Sequence, residues 1–337
     1  MLKAGLIGVG GITKSHRRGY ARLEKMGKVR LVCACDIDPA AFERRQVINI
    51  DGDTKFKEPD LHFYTDIEEM LKKEELDFLD ICTPTYTHAD ITCEMLRRGY
   101  HVLCEKPMAL SFADCEKMVQ AKEKSGRELM IGQCLRFEPA YQYLKEAIDD
   151  ARFGKVLSAF FSRLSPPPTW GFENWFMDES RSGGCITDLH IHDIDMARYL
   201  FGDPSAVSCR ASGHTRPHDI AHTSLLYDDM PVTVVGDWSL VGKKFAAGYQ
   251  VNFAQATVIC DSNGVTVYPK DGSPSYQPEL EGPDGYTGEI SYFCDVIEGR
   301  VENTRNPATS AAKTVRLIEA LRESSGAGGI AVSFANK

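Results

Sequence analysis

Leu2-Lys3-Ala4-Gly5-Leu6-Ile7-Gly8-Val9-Gly10-Gly11-Ile12-Thr13 opens the chain with an apolar run that stops at a cluster of glycines. Lys3 to Val9 reads as a strand and Ile12 to Met26 as the helix that follows it. Gly8 and Gly10 fill the first two places of the pattern Gly-x-Gly-x-x-Gly. Glycine at those places allows a tight turn and lets the backbone approach a pyrophosphate at the helix N-terminus, where free N–H groups point. Thr13 takes the third place, where a larger side chain loosens helix–sheet packing. Glycines can also do no more than make a turn, but the strand–turn–helix order favours a dinucleotide.

Outward from that turn, Val29 to Cys35 is a second strand that ends at Asp36. A carboxylate there can accept both ribose hydroxyls and repels a 2′-phosphate, which favours NAD over NADP. The other reading is that Asp36 only starts a turn with Asp38-Pro39. Leu76 to Cys82 is a strand, Ala89 to Arg98 a helix, His101 to Cys104 a strand, Phe112 to Lys124 a helix, and Glu128 to Gly132 a strand. This alternation predicts a doubly wound parallel sheet covered on both faces. From about residue 155 the pattern changes to strands of mixed polarity: Val156 to Arg163, Val207 to Gly213, Thr223 to Tyr227, Val232 to Leu240, Gln250 to Cys260 and Val265 to Tyr268. They predict a largely antiparallel sheet with one face packed and the other open or shared with another subunit. Ser310 to Ser324 is a closing helix. The expectation is an α/β chain of two domains: a Rossmann domain over residues 1–133 and an α+β domain over residues 134–337.

Composition narrows the partners. The chain of 337 residues carries a net charge of -9, which argues against nucleic acid and anionic membrane surfaces. No apolar run approaches the ~20 residues that span a bilayer. Leu2 to Val9 runs straight into glycines and reads as a strand, not a signal peptide. The cysteine count is 11, an odd number, with no Cys-x-x-Cys pair, so we read them as thiols in a reducing compartment and expect the cytoplasm.

Glu105-Lys106-Pro107 closes the run His101 to Cys104. A lysine at that strand end can lie over a nucleotide and touch its substrate, and X-Pro bonds lose most of the trans preference. By itself such a lysine reads as a solvated surface charge. Together with the glycine turn, Thr83-Pro84-Thr85-Tyr86-Thr87-His88, Gly99-Tyr100-His101-Val102 and the segment Ser182-Gly183-Gly184-Cys185-Ile186-Thr187-Asp188-Leu189-His190-Ile191-His192-Asp193, it resembles the family of glucose–fructose oxidoreductase and inositol dehydrogenase, Gfo/Idh/MocA. The last segment looks like that family's Gly-Gly-x-x-x-Asp-x-x-x-His. The run Ile191 to Arg198 is most similar to the inositol and sugar dehydrogenases.

The resemblance implies roles residue by residue. Gly8, Gly10, Gly11 and Ile12 would line the pyrophosphate, Asp36 the adenosine ribose, and Thr83, Pro84 and His88 the strand end beside the cofactor. Glu105 and Lys106 would lie at the nicotinamide, with Lys106-Pro107 cis. Asp188 and His192 would complete a catalytic group with Lys106, and His190, where relatives carry a small or neutral residue, would touch substrate or tune its neighbours. It also implies a homodimer or homotetramer built through the open face of the second sheet.

The chemistry is consistent with those roles. Asp188 and His192 stand at i and i+4 in a stretch read as one helix from Ile186 to Phe201. Oxidation of a secondary alcohol needs a base for the hydroxyl proton, and an imidazole oriented by a carboxylate suits that task. Lys106 would stabilise the developing alkoxide. Lys106 and His192 could also exchange these roles. Spacing alone favours reading Asp188 and His192 as a helix-surface pair, and the resemblance reverses that. A rival reading gathers Asp188, His190, His192, Asp193 and Asp195 into a metal site, but i, i+2 and i+4 cannot face one point on a helix, so no metal is expected. His214, His218 and His222 form no strong motif. Trp170, Phe172, Trp175 and Phe176 follow Pro166-Pro167-Pro168, and Trp175 could stack on a sugar or simply pack. Arg136 could bind substrate or a carboxylate that joins the domains.

The expected function is reversible hydride transfer between NAD and a ring secondary alcohol of a cyclic polyol, sugar or sugar derivative, at the carboxyl ends of the parallel strands between the two domains. Two alternatives stand beside it: a transient-redox enzyme of the glycosidase or eliminase type with tightly held NAD, and a non-enzymatic NAD sensor. The substrate, the carbon oxidised and the preferred direction are not legible in the residues.

Overall fold

In the computed structural model residues 1–43, 60–213 and 219–334 are described. The first sheet is built from β1 (Leu2–Ile7), β2 (Val29–Cys35), β3 (His62–Tyr64), β4 (Phe78–Ile81), β5 (His101–Glu105) and β6 (Leu129–Gly132), with helices α1 (Thr13–Lys25), α2 (Ile67–Lys73), α3 (His88–Arg97) and α4 (Phe112–Ser125) between them. Its order is β3-β2-β1-β4-β5-β6 and its ladders are parallel, so the chain reverses direction across the sheet between β1 and β4. This is the doubly wound order that puts ligands outside the carboxyl ends of the strands at the reversal. Leu6, Leu31, Phe78, Leu103 and Met130 form the core beneath. β3 and α2 escaped the sequence reading. The strand is three residues long with no residue fully buried, and only Met70 of the helix is buried, so neither carries much apolar pattern.

The second sheet follows α5 (Pro139–Asp149). Its strands are β7 (Val156–Leu164), β8 (Ala206–Ser212), β9 (Ile220–Tyr227), β10 (Met230–Asp237), β11 (Ala246–Phe253), β12 (Ala256–Asp261) and β13 (Gly264–Pro269). The ladders are antiparallel except β7 with β10, which run parallel. Gln250 to Cys260 is not one strand: Asn252 pairs with Thr257, so β11 and β12 form a hairpin that an unbroken run of strand-forming residues conceals. Alternation buries Phe161, Leu225, Val234 and Val251 on one face and leaves Phe160, Leu226 and Tyr268 exposed on the other. Between β7 and β8 lie the short helices α6 (Glu179–Ser182) and α7 (Gly184–Asp188), then α8 (Ile191–Phe201).

Two late helices complete the chain, α9 (Gly285–Ile297) and α10 (Ala308–Gly326), and β14 (Val332–Ser333) pairs with β8. By contact the chain forms two units, one of Met1–Phe137, Thr169–Phe176 and Pro283–Val315, the other of Glu138–Pro168, Met177–Gly282 and Arg316–Lys337. The sequence reading drew one boundary after Gln133 and foresaw no α9. The difference has a local cause. Gly19 on α1 presents no side chain, and a Cβ there would stand 3.2 Å from Ile290, so α9 packs tightly on α1. Lys28 then donates to Ser291 and Asp295, each at 2.7 Å, and Phe293 meets Phe78 edge-on. Asn306 donates to the Ile131 carbonyl, and Pro307 bridges Met130, which covers the free edge of β6. Among the described residues no helix is long and apolar enough to cross a membrane.

Candidate active site

Register brings the strand ends together. Ile7 is level with Cys35 on β2 and Ile81 on β4, and Ile81 is level with Cys104 on β5. Gly8, Asp36, Cys82-Thr83 and Glu105-Lys106 therefore leave the same edge of one sheet. Gly8 has φ +87°, and a Cβ there would stand 2.8 Å from the Cys82 carbonyl group, so only glycine fits. Among the described residues a Cβ on Gly10 would meet nothing within 4 Å, which leaves room for a ligand against the bare backbone. The Thr13 hydroxyl donates to the Gly10 carbonyl at 2.7 Å, so the residue in the third glycine place ties the turn down as well as packing. α1 has no side-chain cap and no acidic residue in its first turn, which suits an anion at its N-terminus. These features fit a dinucleotide pyrophosphate.

Asp36 accepts the Val9 N–H at 2.7 Å on one oxygen and the Asp38 N–H at 2.9 Å on the other. The turn reading of Asp36 is thus real, and it leaves each carboxylate oxygen a second lone pair. Lys106-Pro107 is cis. The buried His88 ring stands 2.8 Å from the Pro107 carbonyl and 2.9 Å from the Thr83 carbonyl. Burial, the largest influence, holds its pKa below the usual value, while the two carbonyls pull it up. His88 acts on the site by holding two strand ends, with 1% of its surface exposed.

Glu105 is also buried. One oxygen accepts the Lys106 N–H at 3.0 Å, and the other lies 2.8 Å from His16 Nε2. His16 Nδ1 lies 2.8 Å from Asp80, which also accepts from the Tyr20 hydroxyl at 2.9 Å. Burial is the largest single influence on His16 and works against charge, but Asp80 and Cys82 together outweigh it and raise the pKa well above the usual value, so the ring donates from both nitrogens. The sequence reading missed His16, Tyr20 and Asp80. The available signal was an aspartate in the middle of the apolar strand Phe78-Leu79-Asp80-Ile81, which needs buried partners.

In the second unit Gly183 and Gly184 have φ of +74° and +66°, and a Cβ on Gly183 would stand 2.5 Å from Thr187. Arg322 fixes this start of α7, bonding Glu179 at 2.8 Å, Thr187 at 3.0 Å and the Gly183 carbonyl. The expected single helix from Ile186 to Phe201 is broken: α7 ends at Asp188 and α8 begins at Ile191. The His190 N–H reaches back to the Cys185 carbonyl at 2.9 Å, a wider turn than an α-helix makes. Asp188 and His192 therefore flank a helix break and do not stack as an i, i+4 pair of one continuous helix. Asp188 is nearly buried and His192 partly exposed.

The rest of the His/Asp run diverges. His190 is fully enclosed, 2.8 Å from the Thr223 hydroxyl, and its ring fills the space where a Cβ on Gly236 would stand. Burial first, and the charge of His222 second, push its pKa down to about 3, so it is a neutral packed residue and not one presented to a substrate. Asp193 receives a two-pronged bond from Arg163, at 2.8 and 3.0 Å. Arg136 is 2% exposed and donates to the Arg305 carbonyl and the Ser310 hydroxyl, each at 2.9 Å. It binds a main chain within its own unit, where the sequence reading had it on substrate or a carboxylate between domains. Trp175 is buried, with its ring 4.0 Å from Phe176 in a stack and against Gly171. That is the packing alternative for Trp175. His214 and His218 lie outside the described residues, and His222 is exposed on β9.

Comparison with known proteins bears on both units. Residues 2–133 match the family model described as oxidoreductase family, NAD-binding Rossmann fold, and residues 141–266 match the Gfo/Idh/MocA C-terminal domain. The chain is 28% identical over 299 residues to inositol 2-dehydrogenase of Rhizobium meliloti, spanning 85% of this chain and 80% of that one. It is 29% identical over 246 residues to D-apiose dehydrogenase of Paraburkholderia graminis, a match spanning 72% of this chain and 61% of the relative's length. The fold superposes on aldose-aldose oxidoreductase from Caulobacter crescentus with a TM-score of 0.82 at 23% identity, covering 99% of each chain. With both of its characteristic domains matched in order, the chain belongs to the Gfo/Idh/MocA family of oxidoreductases.

Proposed function

We propose that this chain is an NAD-dependent dehydrogenase that oxidises a ring secondary alcohol of a cyclic polyol, sugar or sugar derivative. The observation that carries the reading is the arrival of the glycine turn, Asp36 and Glu105-Lys106 at one sheet edge, beside the reversal between β1 and β4. Gly8, Gly10, Gly11 and Ile12 would hold the pyrophosphate and Asp36 the adenosine ribose, with Thr83 and Pro84 flanking the cofactor along the strand end and Glu105 and Lys106 at the nicotinamide. NAD, when bound, supplies an acceptor for hydride. Lys106 holds the substrate hydroxyl and stabilises negative charge on its oxygen, His192 takes the hydroxyl proton, and Asp188 orients the imidazole. The polyol or sugar class is supported by relatives named inositol and D-apiose dehydrogenase.

Exposed Phe160, Leu226 and Tyr268 on the outward face of the second sheet support a homo-oligomer built on that face. The 11 cysteines are free thiols, which supports a reducing compartment such as the cytoplasm.

The test is NADH absorbance with wild type and Lys106→Met across a panel of inositols, aldoses and sugar glycosides. Steady growth with wild type, lost in the variant, is the expected result. One burst equal to the enzyme present, with product still forming, would replace this reading with transient redox. Tight NAD binding without turnover on any panel member would replace it with a sensor.

A further inference from the structure

Glu289 on α9 is fully enclosed, and among the described residues neither of its carboxylate oxygens has a hydrogen-bond partner. A carboxylate oxygen of Glu289, a ring nitrogen of His16 and an oxygen of Glu105 all lie within 4.8 Å of one another. A charged carboxylate sealed from water without donors is untenable: it takes up a proton, or a cation stands beside it. The surrounding charges decide between these. The His16 ring is already shared by Asp80 and Glu105, each at 2.8 Å, so both of its N–H groups are engaged by other carboxylates. The other titratable groups around the cluster include Cys82 after β4, Tyr20 on α1, Tyr286 on α9 with its ring 5.5 Å from His16, Cys134 beside Tyr286, and Asp284 at the start of α9. Arg18 and Arg22 on α1 are cations, and both pair with Asp284. Burial first and Glu105 second raise the Glu289 pKa well above the carboxylate range, against the opposing pull of His16.

We propose that Glu289 stands against Glu105 as a neutral carboxyl, and that Glu289 and His16 are positioning residues that keep the Glu105 carboxylate turned to the Lys106 N–H. Glu105 is held at both oxygens, by Lys106 N–H at 3.0 Å and by His16 at 2.8 Å. Its third side faces Gly132, where a Cβ would stand 3.3 Å from it, so the seat depends on the missing side chain at that position. A second negative charge on Glu289 would push Glu105 off this seat and loosen the step that carries Lys106. The link to turnover rests on the proposed role of Lys106 and the link to stability does not.

The experiment is the melting temperature of the full chain against pH, for wild type, Glu289→Gln and, should that variant fold poorly, Glu289→Met. A group whose pKa is raised on folding gives its full stabilisation below the unfolded value of 4.5 and loses it as pH rises toward the folded value. The variants have no such group, so their melting temperature should gain on wild type by about 2 °C per pH unit above that value. A pH-independent difference, or a wild-type melting temperature lowered by EDTA, means an ionised Glu289 with a cation beside it and overturns the proposal. The alkaline limb of kcat should also move to higher pH in Glu289→Gln, while a merely structural role would lower kcat equally at every pH. A melting result as expected, combined with full turnover in Lys106→Met, would refute the Lys106 role and leave the cluster standing.

Discussion

Asp36 accepts the Val9 N–H at 2.7 Å, so the residue that ends β2 also fixes the glycine turn that ends β1. The carboxylate proposed to choose the cofactor is part of the scaffold that receives it. Asp36→Ala should therefore do two things at once. It should narrow the preference for NAD over NADP, and it should destabilise the chain by ~1–3 kcal/mol as two main-chain N–H groups lose their acceptor. Kinetics with both cofactors and a urea titration read the two effects separately. An unchanged cofactor ratio would leave Asp36 with the turn role alone.

Gly8→Ala tests the turn directly. The φ of +87° and the 2.8 Å approach to the Cys82 carbonyl group leave no room for a methyl group. We expect a loss of at least ~1–3 kcal/mol in urea denaturation from the backbone strain alone. Gly10→Ala, with open space at its Cβ, should leave stability nearly unchanged and weaken NAD binding instead.

The parallel sheet and the candidate cofactor edge were legible because period and punctuation there are local. Apolar runs end at Gly8, Asp36, Cys82 and Glu105, and the structure places those ends on one edge. What was not legible depends on contacts distant in sequence. α9 is recruited by the absence of a side chain at Gly19, which no periodicity in residues 285–297 reveals. The His16–Glu105 bond spans 89 positions. Arg136 looked available because nothing in its neighbourhood announces the Arg305 carbonyl. The helix break at Leu189-His190 was hidden for another reason: the apolar spacing continues through it, and only the His190 N–H to Cys185 bond shows the wider turn.

Arg163 and Asp193 form a nearly sealed ion pair, with 7% and 0% of their side chains exposed. Removing one partner strands the other, so Asp193→Asn should cost ~3–5 kcal/mol. Replacing both, as in Arg163→Met with Asp193→Leu, should cost less than the sum of the singles. A double-mutant cycle in urea checks this, and additive losses would contradict the pairing.

His190 should shape acid stability and not the neutral pH profile of turnover. Its pKa is held down to about 3 in the folded chain, against an ordinary value of 6.5. The stabilisation is present in full above 6.5 and is lost as pH falls toward about 3. In His190→Gln the urea midpoint should fall less steeply over that window. The pH profile of kcat should keep its shape, and a displaced limb near neutrality would mean that His190 titrates in the reaction.

The central claim is hydride transfer from a ring carbon, and isotope transfer tests it most directly. The protein is incubated with NAD and each of a set of inositols and aldoses deuterated at their carbinol carbons, and the nicotinamide C4 is read by NMR. The account predicts deuterium at C4 with at least one substrate, on one face of the ring, and none with Lys106→Met. No label at C4 with any substrate, under conditions where NAD is bound, would contradict it.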